Sequence, residues 1–173
     1  MPKALLHDDD GTSWLLRSLT ALREGGCDPV TVVLGAGAEE ARLLLDPAVD
    51  PAVDPAVDVV VAADWAEGMG ASLRTGLRAL RDARACLVSL VDLPDVDAAV
   101  VRRLTELGAH PGLLARASYD GRPGHPALIG RDHWAGVLAA TEGDVGARSY
   151  LAAHDVLLVE CGDLATGADR DTP

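Results

Sequence analysis

Short apolar runs alternate with amphipathic stretches along this chain. VTVVLG (Val30–Gly35), VVVAA (Val59–Ala63), ACLVSLVD (Ala85–Asp92) and VLLVEC (Val156–Cys161) are β-branched and apolar without alternation. That is the pattern of strands buried on both faces. GLLARAS (Gly112–Ser118) is a weaker example. Between these runs, leucines recur at helical spacing: Leu15, Leu16, Leu19 and Leu22, then Leu73, Leu77 and Leu80, then Val100, Val101, Leu104 and Leu107. The first of these helices has Thr12 or Ser13 as a candidate N-cap and Gly25-Gly26 as its stop. Strand and helix alternating at this rhythm predict βαβ units. The expected fold is α/β, Rossmann-like and doubly wound, with a mainly parallel sheet in three α/β/α layers.

One stretch departs from the alternation. Asp46 is followed by PAVD three times, through Asp58. A proline every fourth residue forbids a helix interior and a central strand, so residues 46–58 are expected to form a solvated loop insert. Residues 164–173 read as a charged C-terminal tail, and the whole of 1–173 as a single domain.

Composition narrows the partners. With 173 residues and a net charge of −12, the chain has no concentrated basic surface of the kind that binds nucleic acid. It has no apolar run near the about 20 residues needed to span a membrane and no leader-like opening, so a cytoplasmic location is expected. Cys27, Cys86 and Cys161 are far apart and form no CxxC pair, the pattern of buried reduced thiols.

Candidate chemistry sits in a few places. Lys3 is the single lysine beside fourteen arginines; a lone lysine is ordinarily a solvated surface charge. Asp92 closes the most apolar strand, where open α/β sheets place ligands, and a carboxylate there suits Mg2+ or the cap of the next helix, a role Asp95 and Asp97 could also take. In DWAEGMGASLRTGLRAL (Asp64–Leu80), a Gly68-Met69-Gly70 turn enters a helix whose Arg74, Arg78 and Arg81 form a stripe opposite the leucines. GRPGHPALIG (Gly121–Gly130) carries His125 in an expected loop, and EGDVGARSYL (Glu142–Leu151) reads as a turn entering a helix with Asp144 as N-cap. No nucleophile–base pair and no histidine metal cluster accompanies them.

Taken in order, these strings resemble the MobA-like NTP transferases, and among them the molybdenum cofactor cytidylyltransferases. PKALL (Pro2–Leu6), WAEGMGASLRTGL, LVDLP, GRPGHPAL, GDVGAR and DRDTP follow that family's motifs across nearly the whole chain. The resemblance implies a nucleotidyltransferase that moves CMP, or another NMP, from CTP or GTP to a phosphorylated acceptor, with release of pyrophosphate. The implied acceptor is the molybdopterin cofactor, and the implied client a molybdoenzyme. It implies Lys3 as the cation facing the triphosphate and Asp92 and Asp171 as the Mg2+ carboxylates, with Asp169 as the second choice. Gly68, Met69, Gly70 and Ser72 would line the base. His125, Asp144, Gly146, Ala147 and Arg148 would lie on the acceptor side.

The family pattern begins with a strand and a glycine-rich loop ahead of PKALL. The resemblance therefore implies that the first strand, expected between the runs at 30–35 and 85–92, is absent, and that part of the phosphate cradle is absent with it. Two other readings remain: a transferase acting on sugar phosphates or other small molecules, and a non-catalytic relic or binding module.

Overall fold

The structure is a computed structural model that describes residues 2–48, 57–141, 143 and 146–172. Most of the PAVD repeat therefore lies outside the described residues, as does Asp144. In chain order the elements are α1 (Trp14–Glu24), β1 (Val30–Leu34), α2 (Ala38–Leu44), β2 (Val57–Val61), α3 (Met69–Ala79), β3 (Ala85–Val88), α4 (Ala98–Thr105), β4 (Leu114–Tyr119), β5 (Arg122–Gly130), α5 (Trp134–Ala140), α6 (Arg148–Ala152) and β6 (Leu157–Glu160). Single 3-10 turns lie at Lys3–Leu5, Trp65–Glu67 and Arg131–His133. β2 starts at Val57, so the expected loop gives way to strand before its last two residues.

α1 forms where its caps and leucines predict. The Ser13 hydroxyl accepts from the Leu16 amide, and Gly25 ends the helix. Its buried face carries Trp14, Leu15 and Leu19, each of which contributes about 1.5–3 kcal/mol on leaving water. The Trp14 indole donates to Asp8, and Asp8 also accepts from Arg17, so the polar segment ahead of the helix is tied down by side chains. Asp97 caps α4 by accepting from the Ala99 and Val100 amides, a contact worth about 1 kcal/mol.

The strands form two sheets. β1 and β2 pair in parallel. β3, β5, β4 and β6 form the second sheet in that order, with β5 antiparallel to both neighbours and β4 parallel to β6. Within the second sheet β3, β4 and β6 therefore share one direction, and only β5 opposes it. No strand among the described residues lies between β1 and β3. Each has one edge without a paired strand, and a divide separates the two sheets. All four residues of β3 and the middle three of β1 are only half-buried.

Helices bridge this divide. On one face α1 packs on α4, where the Arg102 guanidinium donates to the Glu24 carbonyl at 2.9 Å and the Thr105 hydroxyl to the Gly25 carbonyl at 2.7 Å. On the other face α3 lies on β1 and β2 and touches α5. Three apolar clusters result. One joins α3, α5 and α6 to the four-stranded sheet, a second joins α4 to its other face, and a third joins α1 and α2 to β1 and β2.

β5 corrects the expected loop at Gly121–Gly130. It is a nine-residue strand paired on both sides, and it carries His125. Its prolines are tolerated because Pro126 falls in an irregular part of the ladder and Pro123, paired to Ser118 of β4, lies beyond the end of the pairing with β3. Pairing to β4 shifts register between Arg116 and Ser118, and pairing to β3 stops at Val88–Ala127, one residue short of Pro126. The same proline explains why β3 ends at Val88 and not at Asp92.

Candidate active site

Because β3 stops early, Asp92 lies in the turn that follows it. Leu93 and Val96 on either side of the next bend are buried in the α4 cluster and fix that turn to the sheet. Asp92 itself is buried. One carboxylate oxygen accepts from the Lys3 ammonium at 2.5 Å. The other, Oδ1, is buried with no hydrogen-bond partner. A carboxylate oxygen in that condition is costly unless a cation completes it.

Lys3 also donates to Asp171 at 2.9 Å, so residues 89 and 168 positions away along the chain meet on one ammonium. The hydrogen bond to Asp92 is the main reason the lysine holds its proton above the ordinary range; burial opposes this and Asp171 adds to it. The tail reaches this place by three further contacts. The Thr166 amide and hydroxyl both donate to Asp95 at 2.6 Å, the Arg170 amide donates to the Asp92 carbonyl at 2.9 Å, and the Arg170 guanidinium pairs with Asp8 at 3.1 Å. The charged tail is thus laid across the mouth of the site, with Asp171 largely exposed at its end. Asp169 makes no such contact among the described residues.

The Gly68 turn begins α3. Gly68 has φ +118° and ψ −177°, a conformation that side chains rarely adopt, so glycine is required there. Arg74 of the predicted stripe is not free. It pairs with Asp64 at 3.1 Å and Glu67 at 2.9 Å and donates to the Thr141 carbonyl at 3.3 Å, which braces the turn against the helix. Met69 is exposed, and a Cβ built on Gly146 would lie 3.9 Å from its terminal methyl. The segment expected to meet the base therefore adjoins the segment expected on the acceptor side. Ser72 is half-buried one turn into α3. α6 starts at Arg148 with Ala147 at its N-cap.

His125 sits on β5, between β3 and β4. Burial, and then the charge of Arg116 on β4, push its imidazole down to about 4, while Asp92 acts in the opposite direction. Arg148 also acts on it. Arg116 is the residue that sequence reasoning overlooked. The signal was present in GLLARAS, where one guanidinium interrupts an otherwise small and apolar strand.

Two carboxylates, one with an orphaned buried oxygen, converging on a single ammonium could hold a cation and the anion that accompanies it. Their hard carboxylate oxygens suit a divalent metal. No group of three or more acidic, histidine or cysteine side chains converges among the described residues, so a metal here would share its coordination with a bound phosphate.

Comparison with known proteins shows what this chain resembles. Nicotine blue oxidoreductase of Paenarthrobacter nicotinovorans is 35% identical over 182 residues, covering 99% of this chain and 84% of that protein. The crystal structure of Rv0371C in complex with manganese, from Mycobacterium tuberculosis H37Rv, superposes with a TM-score of 0.78 at 28% identity and covers 98% of this chain and 87% of that one. The molybdopterin-guanine dinucleotide biosynthesis protein A of Archaeoglobus fulgidus shares the fold, with a TM-score of 0.63 at 17% identity, over 100% of this chain and 86% of that one. The sequence pattern of the MobA-like NTP transferase domain runs through residues 1–157, and the chain belongs to that family.

Proposed function

We propose that this protein transfers CMP from CTP to a phosphorylated small molecule, with the molybdopterin cofactor as acceptor and a molybdoenzyme as eventual client. The observation that carries the reading is the meeting of Lys3, Asp92 and Asp171. In the reaction an acceptor phosphate oxygen forms a bond to the α-phosphorus as the bond to the β-phosphate oxygen breaks, and pyrophosphate leaves. Two anions must be brought together without a covalent intermediate, so the work is positioning and charge neutralisation. Asp92 and Asp171 would hold Mg2+, which when bound neutralises charge on the phosphates. Lys3 has three donors on a flexible stem and can turn from the carboxylates to the triphosphate. Gly68, Met69, Gly70 and Ser72 would take the base, while His125, Gly146, Ala147 and Arg148 would face the acceptor.

The test is pyrophosphate release from CTP, GTP and UTP in the presence of Mg2+ and a panel of acceptors. CTP with a pterin phosphate should be the productive pair. Release with sugar phosphates alone would move the reading to another acceptor class. No release with any pair would overturn it.

The likeness to nicotine blue oxidoreductase supports a second reading, in which the chain is an oxidoreductase. Cys27, Cys86 and Cys161 form no disulfide, and burial raises each thiol, that of Cys86 to about 12. Their electrons are thus poorly available, and a bound cofactor would have to supply them. Consumption of reduced nicotinamide in the presence of a dye acceptor would favour this reading.

A further inference from the structure

Arg116 and Arg148 line one cavity of about 170 Å³, together with Pro123, Leu151, Val156 and Leu158. Arg116 comes from the middle of β4 and is half-buried; its Nε donates to the Gly124 carbonyl at 2.9 Å. Arg148 opens α6 and is exposed. Neither guanidinium pairs with a carboxylate among the described residues. The two cations are close enough that Arg148, after burial, lowers the proton affinity of Arg116. Two like charges facing a shared cavity are unfavourable until an anion joins them.

We propose that Arg116 and Arg148 form an anion site for a phosphate group, and that the apolar wall of Leu151, Val156 and Leu158 takes the body of the molecule carrying it. The site lies across β5 from the turn that bears Asp92, with His125 between them on β5. Paired guanidiniums suit phosphate because each can offer two parallel N–H donors to its oxygens. The phosphate's role as the acceptor of nucleotidyl transfer rests on the function proposed above. Binding of the anion does not.

The test is calorimetric titration of the full chain with inorganic phosphate, and separately with CTP and Mg2+. Wild type should bind phosphate saturably. Arg148→Gln, an exposed change that leaves the core alone, should weaken phosphate by about tenfold or more, as expected for loss of a charge-assisted contact. Arg148→Lys should recover part of that loss, and Arg116→Gln should match Arg148→Gln. Affinity for CTP should stay within about twofold in all three variants. Absence of saturable phosphate binding, or equal phosphate affinity in wild type and Arg148→Gln, would overturn the proposal. So would a parallel loss of CTP affinity, because the arginines would then serve the nucleotide. If wild type binds phosphate through these arginines but binds no CTP, the anion site stands and the nucleotidyltransferase reading fails.

Discussion

Lys3 holds Asp92 and Asp171 together in the position where a divalent ion would sit, so its ammonium competes with such an ion for the same oxygens. Its side chain is 35% exposed and that of Asp171 86%, so water screens much of the attraction and the competition amounts to only ~1 kcal/mol. Lys3→Met should therefore tighten binding of Mn2+ alone by roughly fivefold, read by electron paramagnetic resonance of the free ion, while weakening CTP. Unchanged or weaker Mn2+ binding would show that the lysine preorganises the carboxylates more than it opposes the metal. At this scale the sequence exposed much of the site. A lone lysine, a carboxylate after an apolar strand and a D-x-D tail are visible as residue types. Their meeting is not, since it depends on the tail folding back through Thr166 and Arg170 onto Asp95, Asp92 and Asp8.

Among the elements, the hairpin of β4 and β5 depends on a side chain from β6. The Glu160 carboxylate accepts from the Gly121 amide at 3.1 Å, the Gly162 amide at 2.8 Å, the Ser118 hydroxyl at 2.9 Å and the Asp120 amide at 2.9 Å. These donors hold its proton affinity below the ordinary value near 4.5, the Gly121 and Gly162 amides first. A lowered carboxylate stabilises the fold above its ordinary value and loses that contribution as the pH falls through its lowered one. Glu160→Gln should thus melt below wild type at pH 7, and the two melting curves should converge as the pH drops below about 4. A constant difference across that range would mean that the charge of Glu160 does not matter. Strands β1, β2, β3, β4 and β6 were legible as apolar runs, α1 as a capped leucine repeat, and α3 and α4 as apolar residues at helical spacing. β5 was hidden because its two prolines argue against a strand paired on both sides. They fit because the ladder is irregular at Pro126 and because the pairing with β3 stops at Ala127, leaving Pro123 paired on one side only, and both features are set by its neighbours. α2 and α5 were hidden for another reason: each has only seven residues, too few for a periodic pattern to stand out.

In the molecule as a whole, the two sheets meet across a divide that runs from β1 to β3. The turn bearing Asp92 leaves β3 at that divide. The chain ties the two halves together there, with the Ser18 hydroxyl of α1 donating to the Val91 carbonyl at 3.4 Å and Lys3 reaching Asp92 from the other end of the same N-terminal segment. The candidate site thus lies where an N-terminal segment, a strand-end turn and a C-terminal tail converge, and Asp92 is the one buried group among its three charged residues. The most direct measurement is calorimetric titration of wild type and Asp92→Asn with CTP in the presence of Mg2+, with melting curves recorded for both. The account predicts saturable binding by wild type and a loss of about 100-fold in Asp92→Asn, the scale of removing one principal electrostatic contact, with similar melting temperatures. Equal affinities in two folded proteins would contradict it and place the nucleotide away from Asp92.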